Sequence, residues 1–344
     1  MNNRKQYKLL PNLLCVLGAC WTVSVEATAV YCGDEIFSDT TLEGNLDCTS
    51  ATSHGLIIGN NDVTIDLNGF TIMGSDTGAA IFGDGFSHLT VKNGAISGFM
   101  EGIWLFNFKD VAIEQIAFTH QGDDSIQINH SKNVLINDVQ TSLPLPNHGS
   151  SIVFQFVHGA NLTNLTADGG FLGLLSHESR NVHVADSSFS NVRNMGVRIV
   201  KNKGSVIENI RVFGASTCDS AIGVVWLGPS ERIQVLNNVV SGCRVGVLAQ
   251  TELPSQINIR DNRILANADG ILLYELMNSD VTGNRVHFNN AGIVLLEDSY
   301  NNKIRGNIVT GNRTWDIFYD DSSYPNDWKN NTCVLANHDD IDCQ

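Results

Sequence analysis

The sequence predicts an all-β protein, a single-stranded right-handed parallel β-helix of about eleven coils. Three observations carry this prediction. Short strands of three to five residues alternate apolar and polar side chains, a small residue recurs at nearly constant spacing, and no helix-length segment separates the strands. The chain has 31 glycines and 6 prolines among its 344 residues, which suits many short strands joined by tight bends.

The repeat is clearest between residues 102 and 292. The recurring small residue is Gly102, Ser125, Gly149, Gly173, Gly196, Ala221, Gly246, Gly270 and Gly292, and its spacing is nearly constant. Coils of this length stack at about 4.8 Å per coil and bury alternate side chains in a central core. Asparagine at the bends suits left-handed backbone and stacked side-chain amides. We expect the β-helix to cover residues 56–319, between an N-terminal cap at 30–55 and a C-terminal cap at 320–344.

The segment 1–29 reads as an export signal. Residues 2–8 carry three basic side chains, residues 9–25 are mostly apolar, and Ala27-Thr28-Ala29 is a small-x-small cleavage pattern. The expected location is secreted or periplasmic. The alternative is a lipid anchor on Cys20, which ends the box Leu17-Gly18-Ala19-Cys20. The apolar stretch is at the short limit for a membrane span, so we expect none.

Charge limits the possible partners. The formal net charge is −15, and residues 1–29 contribute +2, so cleavage after Ala29 would leave −17. Nucleic acid is therefore not an expected partner, because binding of that kind needs a basic surface.

The cysteines indicate an oxidising compartment. Beyond Cys15 and Cys20, six remain, and they fall into three local pairs: Cys32 with Cys48, Cys218 with Cys243, and Cys333 with Cys343. The outer pairs would staple the caps, and the members of the middle pair are one coil apart, which places the two Cα atoms within disulfide range. Fifteen connectivities are possible, and zinc ligation is the rival, although no CxxC spacing occurs.

One edge of the first sheet gathers acidic side chains. With the small residue aligned, the preceding position reads Glu101, Asp124, His148, Leu172 and Met195 on successive coils, and Asp123 adjoins Asp124. Outward positions on the same strands carry further ligand-binding candidates: Trp104, Phe106, Gln127, His177 and Arg198, with Lys201 close by. Glycosidases need a protonated and an ionised carboxyl group, and adjacent acids raise one pKa. Trp104 and Phe106 are expected to stack on sugar faces.

Each of these residues also has a structural explanation. An acid before glycine is ordinary turn chemistry, and Asp269-Gly270 repeats it without partners. His148 alone suits a bend, and Arg198 alone suits a surface ion pair. The conjunction on adjacent coils is what favours a site.

Several segments resemble the right-handed parallel β-helix proteins of the pectin-lyase-like superfamily, whose relatives include NosD-like and sugar-hydrolysing repeats. The resemblance covers residues 32 to about 320 and rests on segments such as Cys32-Gly33-Asp34-Glu35-Ile36 and Val63-Thr64-Ile65-Asp66-Leu67-Asn68-Gly69. It implies an exported polysaccharide-binding protein. Within that superfamily, fold does not determine function.

The acidic coils are also similar to the polygalacturonase-type glycoside hydrolases. That similarity implies Asp123 as general acid, Glu101 and Asp124 as the residues that position water, His148 as a supporting residue, and Arg198 as the group holding a substrate carboxylate. The sequence departs from that pattern. Glu101 stands where the family has Asp, Val200 where it has Lys, and two coils separate His148 from Arg198 instead of one.

Three functions therefore stay open. The first is a cofactor-free polysaccharide hydrolase acting at Glu101, Asp123 and Asp124. The second is a Ca²⁺-dependent lyase or uronate epimerase, in which the acids bind the cation and Arg198 or Lys201 abstracts a proton. The third is a non-catalytic surface or scaffold protein. In the hydrolase interpretation no metal site is expected.

Overall fold

The computed structural model describes residues 29–51, 53–143, 149–225, 228, 230–251 and 255–344. These residues form a parallel β-solenoid in which every named strand pairs in parallel with the equivalent strand of the next coil. Within them there is no helix long and apolar enough to cross a membrane. The predicted export signal and the lipid-anchor alternative at Cys20 lie outside the described residues.

The first sheet takes one strand from each coil. Its thirteen strands among the described residues are β1 (Asp34–Ile36), β4 (Leu56–Ile58), β7 (Ala79–Asp84), β9 (Glu101–Phe106), β11 (Ile126–Asn129), β14 (Ile152–Gln155), β17 (Leu172–His177), β20 (Met195–Val200), β23 (Ser220–Val224), β26 (Val245–Gln250), β29 (Asp269–Tyr274), β32 (Ala291–Leu296) and β35 (Trp315–Tyr319).

The second sheet wraps the rest of each coil in two arms. The first arm comprises β2 (Thr40–Thr41), β5 (Val63–Asp66), β12 (Lys132–Asn137), β15 (His158–Thr163), β18 (Arg180–Ala185), β21 (Val206–Glu208), β24 (Gln234–Leu236), β27 (Asn258–Arg260), β30 (Asp280–Thr282), β33 (Lys303–Arg305) and β36 (Asp327–Lys329). The second arm comprises β3 (Leu46–Asp47), β6 (Thr71–Met73), β13 (Gln140–Leu143), β16 (Thr166–Gly169), β19 (Ser188–Val192), β22 (Arg211–Gly214), β25 (Val239–Ser241), β28 (Arg263–Leu265), β31 (Arg285–His287) and β34 (Ile308–Thr310). The long strands β8 (Ser87–Ser97) and β10 (Lys109–Thr119) run through both arms.

Alternation along each strand builds the core. In β9, Ile103 and Leu105 are fully buried and point inward, whereas Trp104 and Phe106 lie on the outer face of the first sheet. The small residue at the start of each such strand has a steric cause. A Cβ on Gly102 would lie 2.3 Å from the Ser125 carbonyl oxygen and 2.6 Å from the Phe118 ring. The repeat that predicts the fold is therefore a packing requirement.

Asparagine dominates the bends, as predicted. More than half of the non-glycine residues with positive φ are Asn or Asp, the residues that best tolerate this backbone. A buried asparagine ladder runs through Asn238, Asn262, Asn284, Asn307 and Asn331. From Asn262 onward, each side-chain oxygen accepts the backbone N–H of the asparagine one coil earlier, at 2.9 to 3.1 Å.

All three predicted disulfides are confirmed. Cys32 bonds to Cys48, Cys218 to Cys243 and Cys333 to Cys343. The Cα atoms of the middle pair are 4.7 Å apart, one interstrand spacing, as the coil register requires.

The solenoid extends beyond the predicted limits of its repeat. Twelve strands of the first sheet lie between residues 56 and 319, where we expected about eleven coils. Residues 34–47, assigned to the N-terminal cap, form β1, β2 and β3 and pair in register with β4, β5 and β6. At the other end, β36 of the C-terminal cap pairs with β33. The terminal segments therefore add strands to the stack as well as disulfides.

One register assignment was wrong. The small residue that follows Ser125 in the stack is Ser151, because Ile126 is paired with Ile152 and the Ile126 N–H donates to the Ser151 carbonyl. The coil between them is therefore longer by two positions than the predicted register allows. Gly149 matches the small-residue pattern of the sequence, but it lies two positions before the residue that is in register with Ser125.

Candidate functional site

The predicted acidic residues come together at the edge of the first sheet. Glu101 begins β9, and Asp124 occupies the same register position one coil later. Asp123 precedes it and is exposed, whereas Glu101 and Asp124 are partly buried. Three carboxylate oxygens, one from each residue, lie within 4.8 Å of one another. We call Glu101, Asp123 and Asp124 the acidic cluster.

Backbone N–H groups hold two of these side chains in place. The Glu101 carboxylate accepts the Asp124 N–H at 3.2 Å, and the Asp124 carboxylate accepts the Ser150 N–H at 2.7 Å. Each acid therefore bonds to the coil that follows it. The stacking of coils fixes the distance between the carboxyl groups, so the cluster is positioned by the scaffold.

The environment favours protonation of the two partly buried acids. Burial raises the pKa of Glu101 to about 8, and the negative charges of Asp124 and Asp123 act in the same direction. Burial raises the pKa of Asp124 to about 7, with the Asp123 charge adding to this and the Ser150 N–H opposing it. The two groups are adjacent, so we describe them as a pair that retains a proton near neutral pH. The sequence predicts only the contribution of the neighbouring charges, and burial is the larger cause.

An aromatic platform adjoins the acidic cluster. It consists of His54, Phe82, Trp104 and Phe106 on the outer face of the first sheet. Ring centroids are 4.3 Å apart for His54 and Phe82, 5.5 Å for Phe82 and Trp104, and 5.1 Å for Trp104 and Phe106. Trp104 and Phe106, which are predicted to stack on sugar faces, follow Glu101 on β9. His54 and Phe82 were missed, because the alignment of small residues began at Gly102 and not at Gly55 and Ala80.

The next coil continues this face with polar groups. Gln127 lies in register with Trp104, and Asn129 lies in register with Phe106. Within the described part of the chain, the buried Trp104 Nε1 and Asn129 Oδ1 atoms have no hydrogen-bond partner. Both atoms are shielded from solvent, so they are unsatisfied polar groups and not exposed donors or acceptors for a ligand.

The predicted basic and histidine residues lie farther along the solenoid. Arg198 is on β20, three coils beyond Asp124, about 14 Å along the axis. Its Nε atom is buried and has no hydrogen-bond partner among the described residues. Lys201 forms an ion pair with Glu178 at 3.0 Å, and His177 approaches the same carboxylate at 3.6 Å. These residues do not join the acidic cluster.

His148 lies outside the described residues. The register position predicted for it, one coil after Asp124, belongs to Ser150.

Toward the C-terminus the outer face becomes aliphatic. Leu248, Leu272 and Val294 occupy the register position that Trp104 occupies on β9, and each is less than a tenth exposed. They belong to one apolar cluster, the apolar stripe: Leu172, Met195, Val200, Val225, Val245, Leu248, Leu272, Ala291 and Val294. The two halves of this face therefore differ in chemistry, although their backbones repeat.

The solenoid and its outer-face acidic cluster define a parallel β-helix protein with a candidate ligand-binding site on the first sheet. The chain belongs to the family described as "Periplasmic copper-binding protein (NosD)", whose model matches residues 140–337. This confirms the resemblance to NosD-like repeats. The matched segment begins after the acidic cluster, which therefore lies in the part of the chain that the family model does not cover.

Solved structures give the same fold at low identity. The surface protein and adhesin PfbA of Streptococcus pneumoniae aligns with a TM-score of 0.55 and 12% identity, covering 87% of this chain and 91% of that one. The A-module of the mannuronan C-5 epimerase AlgE6 of Azotobacter vinelandii aligns with a TM-score of 0.55 and 15% identity, covering 86% and 84%. A mutant of the periplasmic alginate epimerase AlgG gives 0.55 and 15%, covering 84% and 75%. No curated protein sequence matches this chain.

Proposed function

We propose that this protein is an exported polysaccharide-binding β-helix that hydrolyses glycosidic bonds at the acidic cluster. The observation that carries the proposal is the coexistence of two partly buried acids of raised pKa with an exposed carboxyl group, Asp123, within 4.8 Å. Glycosidases need one protonated and one ionised carboxyl group on either side of the scissile bond. The aromatic platform beside the cluster supplies apolar ring surfaces for sugar residues.

The pKa order suggests the roles. Glu101 retains its proton at neutral pH because it is buried beside two acids, so it is the best general acid of the three. Asp123 is exposed and suits the ionised partner that activates water or attacks the sugar carbon. Asp124 shares this proton with Glu101, and the Asp124 backbone N–H holds the Glu101 carboxyl group in place. The resemblance to polygalacturonase-type enzymes assigns the acid role to Asp123 instead.

The structural neighbours support a polysaccharide as the ligand. Two of them are named as epimerases of mannuronan or alginate, and the third as a surface adhesin. Three disulfides and membership in a family described as periplasmic fit an extracellular or periplasmic location.

The test is turnover of a panel of neutral and uronate polysaccharides by the mature protein, measured as new reducing ends. We expect Glu101→Gln to reduce the rate by about 10²-fold to 10⁴-fold, the range typical of general acid–base catalysis. Asp123→Asn should reduce the rate comparably if it is the ionised partner.

Asp269→Asn is the matched control. Asp269 occupies the same register position as Glu101 seven coils later, and no other acid belongs to a cluster with it among the described residues. It should retain full turnover. If Glu101→Gln retains full turnover as well, the acids are turn residues and the hydrolase proposal fails.

A cation-dependent lyase or epimerase is the second candidate. Three carboxylate oxygens within 4.8 Å are a ligand set that suits a hard divalent cation such as Ca²⁺. Against it, Arg198 lies three coils away and Lys201 is paired with Glu178, so neither predicted base is at the cluster. Turnover that requires Ca²⁺ and produces unsaturated, ultraviolet-absorbing ends would identify a lyase, and Ca²⁺-dependent uronate inversion without cleavage would identify an epimerase.

Copper binding, named in the family description, has little support in the described residues. Their one group of three or more potential metal ligands is the acidic cluster, an all-oxygen set. Copper sites use imidazole and sulfur ligands, and the six described cysteines are in disulfides. A scaffold without catalysis is the third candidate, and absence of turnover on every glycan in the panel would favour it.

A further inference from the structure

His54 lies at the end of the aromatic platform nearest the N-terminal coil. It occupies the register position of Glu101, two coils earlier, which is about 10 Å along the solenoid. Its ring stacks on Phe82 at 4.3 Å with an interplanar angle of 10°, and Trp104 lies 6.3 Å away. The stack and the backbone fix the plane of the imidazole ring.

One ring nitrogen already has a partner. The Ala79 backbone N–H donates to His54 Nδ1 at 3.1 Å. Nδ1 must therefore carry a lone pair, which places the single proton of a neutral imidazole on Nε2. Burial lowers the pKa of His54, which favours this neutral form. The result is an N–H donor of fixed tautomer at the edge of an aromatic surface.

We propose that His54 is a glycan-binding residue whose Nε2–H donates a hydrogen bond to a hydroxyl or carboxylate oxygen of a sugar residue resting on the aromatic platform. This inference rests on the proposed action on polysaccharides. A sugar at the acidic cluster does not reach His54, because two coils separate them. His54 therefore adds affinity only for a glycan that extends along the axis toward the N-terminal coil.

A purely structural role would be to satisfy the Ala79 N–H. Two substitutions separate the roles. His54→Asn places an amide oxygen near the position of Nδ1, which can still accept the Ala79 N–H, but removes the donor at Nε2. His54→Gln places an amide nitrogen near the position of Nε2 and so keeps a donor there. If His54 binds the ligand, His54→Asn weakens binding more than His54→Gln does. If His54 is only structural, His54→Asn is the milder change.

The experiment measures binding to the mature protein by quenching of tryptophan fluorescence. The probes are hexamers and dimers of mannuronate, galacturonate and β-1,4-linked glucose. We expect His54→Asn to weaken binding of at least one hexamer about tenfold, the loss of one hydrogen bond, with little change for the dimer. His54→Gln should bind that hexamer within about threefold of the wild type, and His54→Asn, which keeps an acceptor for the Ala79 N–H, should unfold near the wild-type temperature.

The outcomes separate this inference from the hydrolase proposal. If Glu101→Gln abolishes turnover and His54→Asn binds every hexamer like the wild type, the His54 inference is overturned and the hydrolase proposal stands. If Glu101→Gln is fully active and His54→Asn still weakens binding, the hydrolase proposal is overturned and the His54 inference stands. Weaker binding and a lower Tm for His54→Gln than for His54→Asn assign His54 a structural role only, because only His54→Gln removes the acceptor of the Ala79 N–H. Binding of no probe by the wild type overturns the inference.

Discussion

We call the coils of β1 to β14 the acidic half of the solenoid and the coils from β17 onward the aliphatic half. The two halves repeat the same backbone conformation but differ in the side chains on the outer face of the first sheet. Near the N-terminus the outer face of the first sheet presents the acidic cluster and the aromatic platform. Toward the C-terminus the same register positions hold the apolar stripe. The repeat determines the position and direction of each side chain. The residue type at that position determines whether the side chain can bind a ligand or packs against its neighbours.

A single bend shows the same contrast inside the protein. Before the second arm of the second sheet, coils of the acidic half place Ile116, Val139 and Leu165, all buried. The aliphatic half places Asn238, Asn262, Asn284, Asn307 and Asn331 there, linked by hydrogen bonds from coil to coil. The regular ladder lies in the segment that the family model matches. Sequence similarity therefore follows the repeating scaffold and not the candidate site.

The largest expected effect comes from breaking that ladder. The Asn284 side-chain oxygen accepts the N–H and the amide of Asn262, and its own amide donates to Ile259 and Asn307. Asn284→Val leaves these buried groups unpaired, and we expect a loss of about 3–5 kcal/mol from the free energy of unfolding. Ile116→Val, at the same bend in the acidic half, should cost only about 0.5–1.5 kcal/mol. Urea denaturation measures both, and equal losses would show that the amide ladder adds no stability beyond packing.

A smaller effect distinguishes the two halves by pH. The pKa values of Glu101 and Asp124 in the folded protein are about 8 and about 7, above the values of about 4 expected in the unfolded chain. The unfolded state therefore releases these protons first as pH rises. Folding stability should therefore fall between about pH 4 and pH 8 and level off above that.

Glu101→Gln should flatten this pH dependence of Tm. Asp269→Asn should flatten it less, because burial also raises the pKa of Asp269 but Arg244 opposes the shift. A Tm profile of Glu101→Gln that parallels the wild type between pH 4 and 8 would contradict the raised pKa.

The sequence predicts the scaffold better than the site, for physical reasons. Small residues and alternating apolar residues are local consequences of stacking, so the fold follows from them, and the one-coil spacing of Cys218 and Cys243 predicts the middle disulfide. Site geometry depends on exact register. The structure puts Ser151, and not Gly149, in register with Ser125, a shift of two residues that the repeat alone does not predict. His54 and Phe82 were missed because the N-terminal coils match the pattern with Gly55 and Ala80, before the spacing becomes regular.

The smallest expected effect concerns two phenylalanines in left-handed backbone, one in each half. Phe156 has φ 57° and is 42% exposed, and Phe288 has φ 58° and is 75% exposed. This backbone costs a bulky residue about 1–2 kcal/mol, whereas Asn tolerates it well. The two residues differ in contacts, since Phe156 stacks on His130 at 4.6 Å and the nearest aromatic centroid to Phe288 is that of His287, at 6.2 Å.

Phe288→Asn should therefore raise the free energy of unfolding by about 1 kcal/mol, because it relieves the backbone and loses little contact. Phe156→Asn should leave stability nearly unchanged, because the same relief is offset by the lost stack, worth about 0.5–1.5 kcal/mol. Urea midpoints of the two variants, measured beside the wild type, test the difference. Equal gains would mean that the His130 stack contributes nothing, and a loss for Phe288→Asn would mean that its exposed ring is held by contacts stronger than the strain of its backbone.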